Sequence, residues 1–129
     1  MGIIDVLKGK KHFTSAAGVD LKAIQDAEKT LGLCFAEDYK EYLLTFGIAS
    51  YRGHELSGIC KSDRLNVVYL TQHYRDLYAE IPTEWYVIEQ TNIDGIIIWQ
   101  DQSGIIYESV PRRRPSKINN TLTDYICSE

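Results

Sequence analysis

Trp85-Tyr86-Val87-Ile88-Glu89-Gln90-Thr91-Asn92-Ile93-Asp94-Gly95-Ile96-Ile97-Ile98-Trp99-Gln100-Asp101-Gln102-Ser103-Gly104-Ile105-Ile106-Tyr107-Glu108-Ser109-Val110 decides the fold class. Three runs rich in β-branched and aromatic residues, Trp85 to Glu89, Ile96 to Gln100 and Ile105 to Val110, are parted by two turns that each end in glycine. Gly95 and Gly104 supply the backbone freedom that a tight reversal needs, so the stretch predicts an antiparallel meander. On such a strand Trp85, Val87 and Glu89 share one face, Tyr86 and Ile88 the other, and Trp99 lies with Ile97 and Asp101.

Upstream the period changes from 2 to 3.6. Asp20 reads as an N-cap, Leu21, Ile24, Ala27 and Leu31 follow at helical spacing, and Gly32 stands where a C-cap belongs. Glu37 and Asp38 open a second helix in the turn where acids suit the dipole. Tyr39, Tyr42, Leu43 and Phe46 are its stripe and Gly47 ends it. Ile48 to Asp63 reads as irregular, Asn66 to Leu70 as strand-like, and Thr71 as the cap of a short helix through Tyr74, Leu77 and Tyr78 that Ile81-Pro82 terminates. Asn120 caps a closing helix with Leu122, Tyr125 and Ile126 inward. Helices, then strands, then a helix predict α+β: one domain with a largely antiparallel sheet flanked by helices. Residues 1–19 show no sustained period and read as an approach segment to a domain over 20–129.

The 129 residues are 44% hydrophobic and 25% charged, ordinary for a soluble globular domain and enough for a core without disulfide or metal staples. The apolar runs are too short for a membrane span. The start, Met1-Gly2-Ile3-Ile4-Asp5, lacks the pattern of a secretory signal, so the expected location is the cytoplasm. Cys34, Cys60 and Cys127 form no CxxC or Cys/His cluster. Cys34 and Cys127, among apolar neighbours, read as small buried hydrophobes.

Net charge is −4, from 14 bases and 18 acids. Lys8, Lys10, Lys11, Arg112, Arg113, Arg114 and Lys117 fall in two acid-free runs, so the remainder carries 7 bases against 18 acids, 7 − 18 = −11. A body this acidic repels nucleic acid and attracts basic protein surfaces. The run Pro111 to Lys117 reads as an exposed loop between prolines, solvated or paired with neighbouring acids.

Ile24-x-x-Ala27-Glu28-x-x-Leu31-Gly32, then Asp38-Tyr39-Lys40-x-Tyr42-Leu43 and Phe46-Gly47, resembles the opening of the SUKH superfamily. Leu56-Ser57-Gly58, Val67-Val68 with Thr71 and Arg75, Trp85 to Glu89, Asp94-Gly95 before Asp101, and Thr121 to Ile126 extend the resemblance over about residues 20 to 127. Two positions depart from it: Phe35-Ala36 stands where the family usually has Leu-Pro, and Ile48 where a second glycine often follows Gly47. The resemblance implies a single α+β domain. In bacteria it implies an immunity protein that binds the C-terminal domain of a polymorphic toxin, often a nuclease, and blocks it. The other reading is a regulatory protein-interaction module without a toxin partner; a neighbouring gene for a large protein with a variable C-terminal domain separates the two. The resemblance carries no catalytic residues and implies no cofactor.

An active site does not emerge from the residues either. His12, His54 and His73 lack metal-ligand spacing and read as surface or capping residues. Asp94 and Asp101 sit roughly 23 Å apart along an extended strand at about 3.3 Å per residue, too far for an acid–base pair needing about 5 to 9.5 Å. Each fits a backbone-bonding turn residue. The expected contacts to a basic protein partner are Asp63, Glu80, Glu84, Glu89, Asp94, Asp101 and Glu108, with Tyr51 and Trp85 as candidate aromatic anchors. Tyr51 is the aromatic expected to be exposed. For Trp85 and Trp99 a core role is favoured over an interface role.

Overall fold

The computed structural model describes residues 2–78 and 80–128. Its α+β architecture consists of helices around two antiparallel sheets, of three and four strands. Helix α1 (Ile3–Lys8) is followed by a short strand, β1 (Thr14–Ser15). Helix α2 (Leu21–Leu31) is bracketed as its sequence demands: the Asp20 carboxylate accepts from the Ala23 amide at 2.9 Å, and Gly32 takes φ +69°. Helix α3 (Glu37–Phe46) turns Tyr39, Tyr42, Leu43 and Phe46 inward and ends at Gly47.

The Phe35-Ala36 departure has a structural use. Ala36 retains an amide hydrogen that proline would lack, and donates it to the buried Tyr86 hydroxyl at 2.8 Å. That hydroxyl donates to Gln100 Oε1 (2.6 Å), Gln100 Nε2 donates to Asp38 Oδ1 (3.0 Å), and Asp38 Oδ2 accepts from the Leu122 amide (3.0 Å). One chain of hydrogen bonds thus joins the start of α3, the large sheet and the last helix, with each buried polar group satisfied through the next.

The interval read as irregular contains a hairpin, β2 (Ala49–Tyr51) and β3 (His54–Leu56), to which β1 adds by pairing with β2. Its two-residue turn is Arg52-Gly53, both at positive φ, +47° and +84°. That is the reversal usually signalled by Asn-Gly, here hidden behind an arginine. The opening segment, read as an approach without period, is drawn into the fold: Ile3 and Leu7 of α1 lie in the main core.

Residues 66–70 are not a strand. Asn66 accepts from the amides of Val68 (2.9 Å) and Tyr69 (3.3 Å) and caps helix α4 (Val67–Leu77). The β-branched pair Val67-Val68 favours a strand locally, but the cap and the burial of Val67, Leu70 and Thr71 at helical spacing prevail. Thr71 sits inside this helix rather than at its start, and its Oγ1 accepts the Val87 amide at 3.0 Å. Helix α4 ends at Leu77, before Ile81-Pro82.

The meander forms as expected, as β4 (Tyr86–Gln90), β5 (Ile97–Gln100) and β6 (Ile106–Ser109), and a fourth strand, β7 (Ser116–Asn119), pairs with β6. The basic stretch is therefore a loop only to Pro115. Helix α5 (Leu122–Cys127) closes the chain, capped by Thr121, whose Oγ1 accepts the Asp124 amide (3.0 Å), and not by Asn120.

The large sheet divides two cores. Tyr86, Ile88, Ile98 and Ile106 face the main core with α1, α2, α3 and α5; Trp85, Val87, Ile97 and Trp99 face a second cluster with Leu70. The predicted alternation holds to Val87 and then fails, because a bulge lies between Val87 and Glu89: Val87 pairs with Trp99, but Glu89 pairs with Ile98. The extra residue re-aims Glu89 from the Trp85 face into the main core. Ser57 locks the neighbouring edge. Its amide donates to Ile88 O (2.7 Å), its hydroxyl donates to Val87 O (2.6 Å) and accepts from Tyr39, and its carbonyl accepts from Tyr42 (2.8 Å).

The cysteine reading is corrected at both named positions: Cys34 and Cys127 are exposed. Cys34 lies in an extended link between buried Leu33 and buried Phe35, so alternation turns it outward, and Cys127 lies off the face of α5 that buries Leu122, Tyr125 and Ile126. In the native protein a thiol reagent is expected to modify these two promptly and half-buried Cys60 more slowly. A single fast thiol would contradict this placement.

Candidate functional site

Each nominated residue takes its surroundings from the element that holds it. Tyr51, expected on the surface, is 1% exposed, because the hairpin turns its ring inward to stack on His54 (centroids 5.1 Å apart, planes at 21°). Glu89 is 3% exposed; the bulge aims it at His54 Nδ1 (2.9 Å) and at the Tyr125 hydroxyl, which donates at 2.6 Å. This buried carboxylate ties the hairpin and α5 to the sheet. Trp85 is 8% exposed, sandwiched by Tyr107 at 3.8 Å with near-parallel planes and tilted on Trp99 at 6.5 Å. Both tryptophans are core residues, as favoured. Tyr51, Glu89 and Trp85 thus support the surface from beneath and do not form it.

The remaining acids behave differently. Asp63 is exposed on the 3-10 turn Asp63–Leu65, beside a pair in which Arg64 holds both Glu55 oxygens, at 2.6 and 3.2 Å. Arg64 keeps the Glu55 carboxyl below its ordinary range, chiefly through that hydrogen bond. Glu80, Glu84 and Asp94 are exposed in linkers and turns. Asp101 fulfils the expected turn role: Oδ1 accepts the Ile105 amide (3.1 Å), and Oδ2 accepts the Tyr107 hydroxyl (2.8 Å). Burial, then the hydrogen bond to Asp101 and the charges of Asp101 and Glu84, push the Tyr107 phenol up to about 12, so it remains a donor. Glu108 is half-buried on β6 opposite Ile98 and Ser116, on the other face of the sheet from Trp85.

The nominated acids do not form one cluster: Glu84 and Asp101 lie at the end of the large sheet where Tyr86 pairs with Gln100, and Asp94 at the opposite end, where Gln90 pairs with Ile97. A cleft of about 480 Å³ opens between the end of α4 (Leu77, Tyr78) and the loop after β6 (Val110 to Arg114). A shallower depression of about 370 Å³, over Pro82, Trp85 and Pro115, shares Glu80 and Arg114 with it. Glu80 pairs with Arg114 Nε at 3.4 Å. Asp94 stands beside Gly95, whose carbonyl accepts the Tyr78 hydroxyl. Asp63 stands apart with the hairpin.

Sequence reasoning missed Leu77 as a surface residue. The sequence reading runs a short helix through Tyr74, Leu77 and Tyr78 without giving Leu77 a face, and Leu77 is 61% exposed. The true start of α4 at Val67 rotates the stripe to Val67, Leu70, Thr71 and Tyr74, leaving Tyr69, His73 and Leu77 outward at spacings of four. Tyr69 and His73 stack with nearly parallel planes at 5.7 Å. The signal was present in Asn66, a strong N-cap residue directly before the run.

Among the described residues no helix is long and apolar enough to cross a membrane, and no group of three His, Cys, Asp or Glu side chains is placed to hold a metal ion. A comparison with curated proteins finds no match. The family model described as SMI1-KNR4 cell-wall, SUKH_5, matches residues 3–128, from the first turn of α1 to the end of α5. With the α+β fold on the page and the match spanning nearly the whole length, the chain belongs to the SUKH_5 family.

Proposed function

We propose that the protein is a non-enzymatic immunity protein. It binds the C-terminal domain of a polymorphic toxin, a nuclease by preference, and covers the toxin's basic cleft with an acidic surface. Family membership makes this the leading class, and the charge distribution is the observation that carries the mechanism: outside two short basic runs the balance is −11. Asp63, Glu80, Glu84 and Asp94 present carboxylates to solvent, and Asp101 and Glu108 are partly covered. Charges at such a rim act mainly on the rate of encounter.

A tagged pull-down from the native host, read by mass spectrometry, tests the partner class. Recovery of a toxin C-terminal fragment in a salt-weakened complex supports the reading. Recovery of signalling proteins alone, with no toxin gene nearby, replaces it with the regulatory module. The electrostatic part has its own test. Asp63→Lys, Glu84→Lys and Asp94→Lys together are expected to slow association about tenfold at low salt, with the difference closing as salt shortens the Debye length toward about 8 Å. An association rate unchanged at low salt would remove the acidic-surface mechanism.

A further inference from the structure

The cleft at the end of α4 has a charge opposite to the rest of the molecule. Its mouth is the loop Pro111-Arg112-Arg113-Arg114-Pro115, three consecutive guanidinium-bearing residues between two prolines. Arg114 is engaged by Glu80. Among the described residues, neither Arg112 nor Arg113 has a carboxylate within ion-pair distance, and both are exposed.

The loop is held in place. Pro111 rests on Gly95, where a Cβ would lie 2.9 Å from the Pro111 ring and 3.2 Å from the Tyr78 oxygen, and Tyr78 is bonded to the Gly95 carbonyl. Arg112 adopts φ +68°, a left-handed conformation that glycine would accept without cost and that is unfavourable for a long side chain. Beside the guanidinium groups, Leu77, Tyr78, Val110 and Pro111 give the cleft an apolar and aromatic part, next to Ser109 and Glu80, with Leu77 itself largely open to solvent.

We propose that this cleft is a docking site for an acidic polypeptide segment, which places paired carboxylates on Arg112 and Arg113 and an apolar side chain on Leu77 and Tyr78. Guanidinium forks suit carboxylates because both oxygens are engaged at once. The surroundings select a polypeptide over a nucleic acid. Glu80 and Asp94 stand close by, and an unbroken row of phosphates would meet them as repulsion, whereas a polypeptide can alternate acidic, apolar and basic side chains along its length. Strand addition to the neighbouring edge is the less favoured mode, because β7 is four residues long, irregular in register against β6 and carries Lys117 at its centre. The proposal does not rest on the occlusion reading, although Glu80 and Asp94 border both surfaces.

The test is calorimetric titration of the full chain at low salt with a capped hexapeptide in which leucines alternate with paired glutamates. Inorganic pyrophosphate and a short single-stranded RNA are titrated in parallel. The peptide is expected to bind, at least tenfold more weakly to the Arg112→Ala, Arg113→Ala double variant and about threefold more weakly to Leu77→Ser. All three side chains are exposed, so these variants keep the fold. No binding to the native protein, equal binding to the double variant, or tighter binding of pyrophosphate or RNA than of the peptide would each overturn the proposal. Toxin capture could fail while the peptide still binds, and the reverse, so the two proposals fail separately.

Discussion

Gly58→Ala is expected to cost the protein about 3 kcal/mol or more, a large share of the 5–15 kcal/mol that holds a domain of this size folded. A Cβ at this position would sit 1.7 Å from the Gly47 carbonyl oxygen and 2.6 Å from Ile48 Cγ2. The first is backbone and cannot rotate away. Gly58 is also bonded on both sides: its amide donates to Leu65 O (2.9 Å) and its carbonyl accepts from Val67 (2.7 Å), bridging β3 to the start of α4. Any shift that relieves the clash therefore breaks the seat of α4 on the main core. In urea the unfolding midpoint is expected to fall by roughly 1–2 M. Gly53→Ala is the control: φ is +84° but nothing lies within 4 Å, so only the left-handed strain of about 1 kcal/mol remains. Equal losses at the two positions would show that close approach is not what Gly58 provides.

The second large effect is alkaline unfolding. Tyr39, Tyr42 and Tyr86 are wholly buried, and burial, the largest cause for each, drives their phenols well above the ordinary value of 10. Backbone hydrogen bonds, at Ala49 for Tyr42 and from the Ala36 amide for Tyr86, pull the other way, but burial outweighs them. A raised folded-state value means that the native protein keeps protons the unfolded chain gives up. The stabilisation is therefore complete below pH 10 and is lost as pH rises above it. Each tyrosine removes about 1.4 kcal/mol per pH unit in that window, so the three together should unfold the chain within one to three units. Circular dichroism and tyrosine absorbance should change in the same steep step above pH 10. Full ionisation of these tyrosines with the dichroism of the native state intact would refute the burial argument.

Local signals wrote much of this fold plainly. Asp20 and Gly32 bracket α2 because capping depends on residues a few positions apart, and the three strands of the meander follow from glycine-ended turns between apolar runs. Where neighbours in space outweighed neighbours in sequence, the reading slipped. Val67-Val68 carried strand propensity, yet Asn66 and the burial of Leu70 and Thr71 made a helix. Arg52-Gly53 hid a hairpin turn, and with the hairpin went the placement of Tyr51. The bulge after Val87 left no sequence mark, so Glu89 was read one face too far. Among the candidate contact residues, the exposure of Asp63, Glu80, Glu84 and Asp94 follows from their place in turns and linkers, because such segments lie at the surface. Those in strands depended on register. Leu77 and the cleft it lines needed the helix start to be known first.

The chain of hydrogen bonds from Ala36 through Tyr86, Gln100 and Asp38 to Leu122 bears on how the molecule comes apart. Its links belong to segments distant in sequence, so no helix or strand among them can peel away while the others stay. Opening is then an all-or-none event for the body of the domain. Proteolysis of the native chain is then expected at its exposed loops and turns rather than inside these elements, which stay closed for as long as the domain is folded.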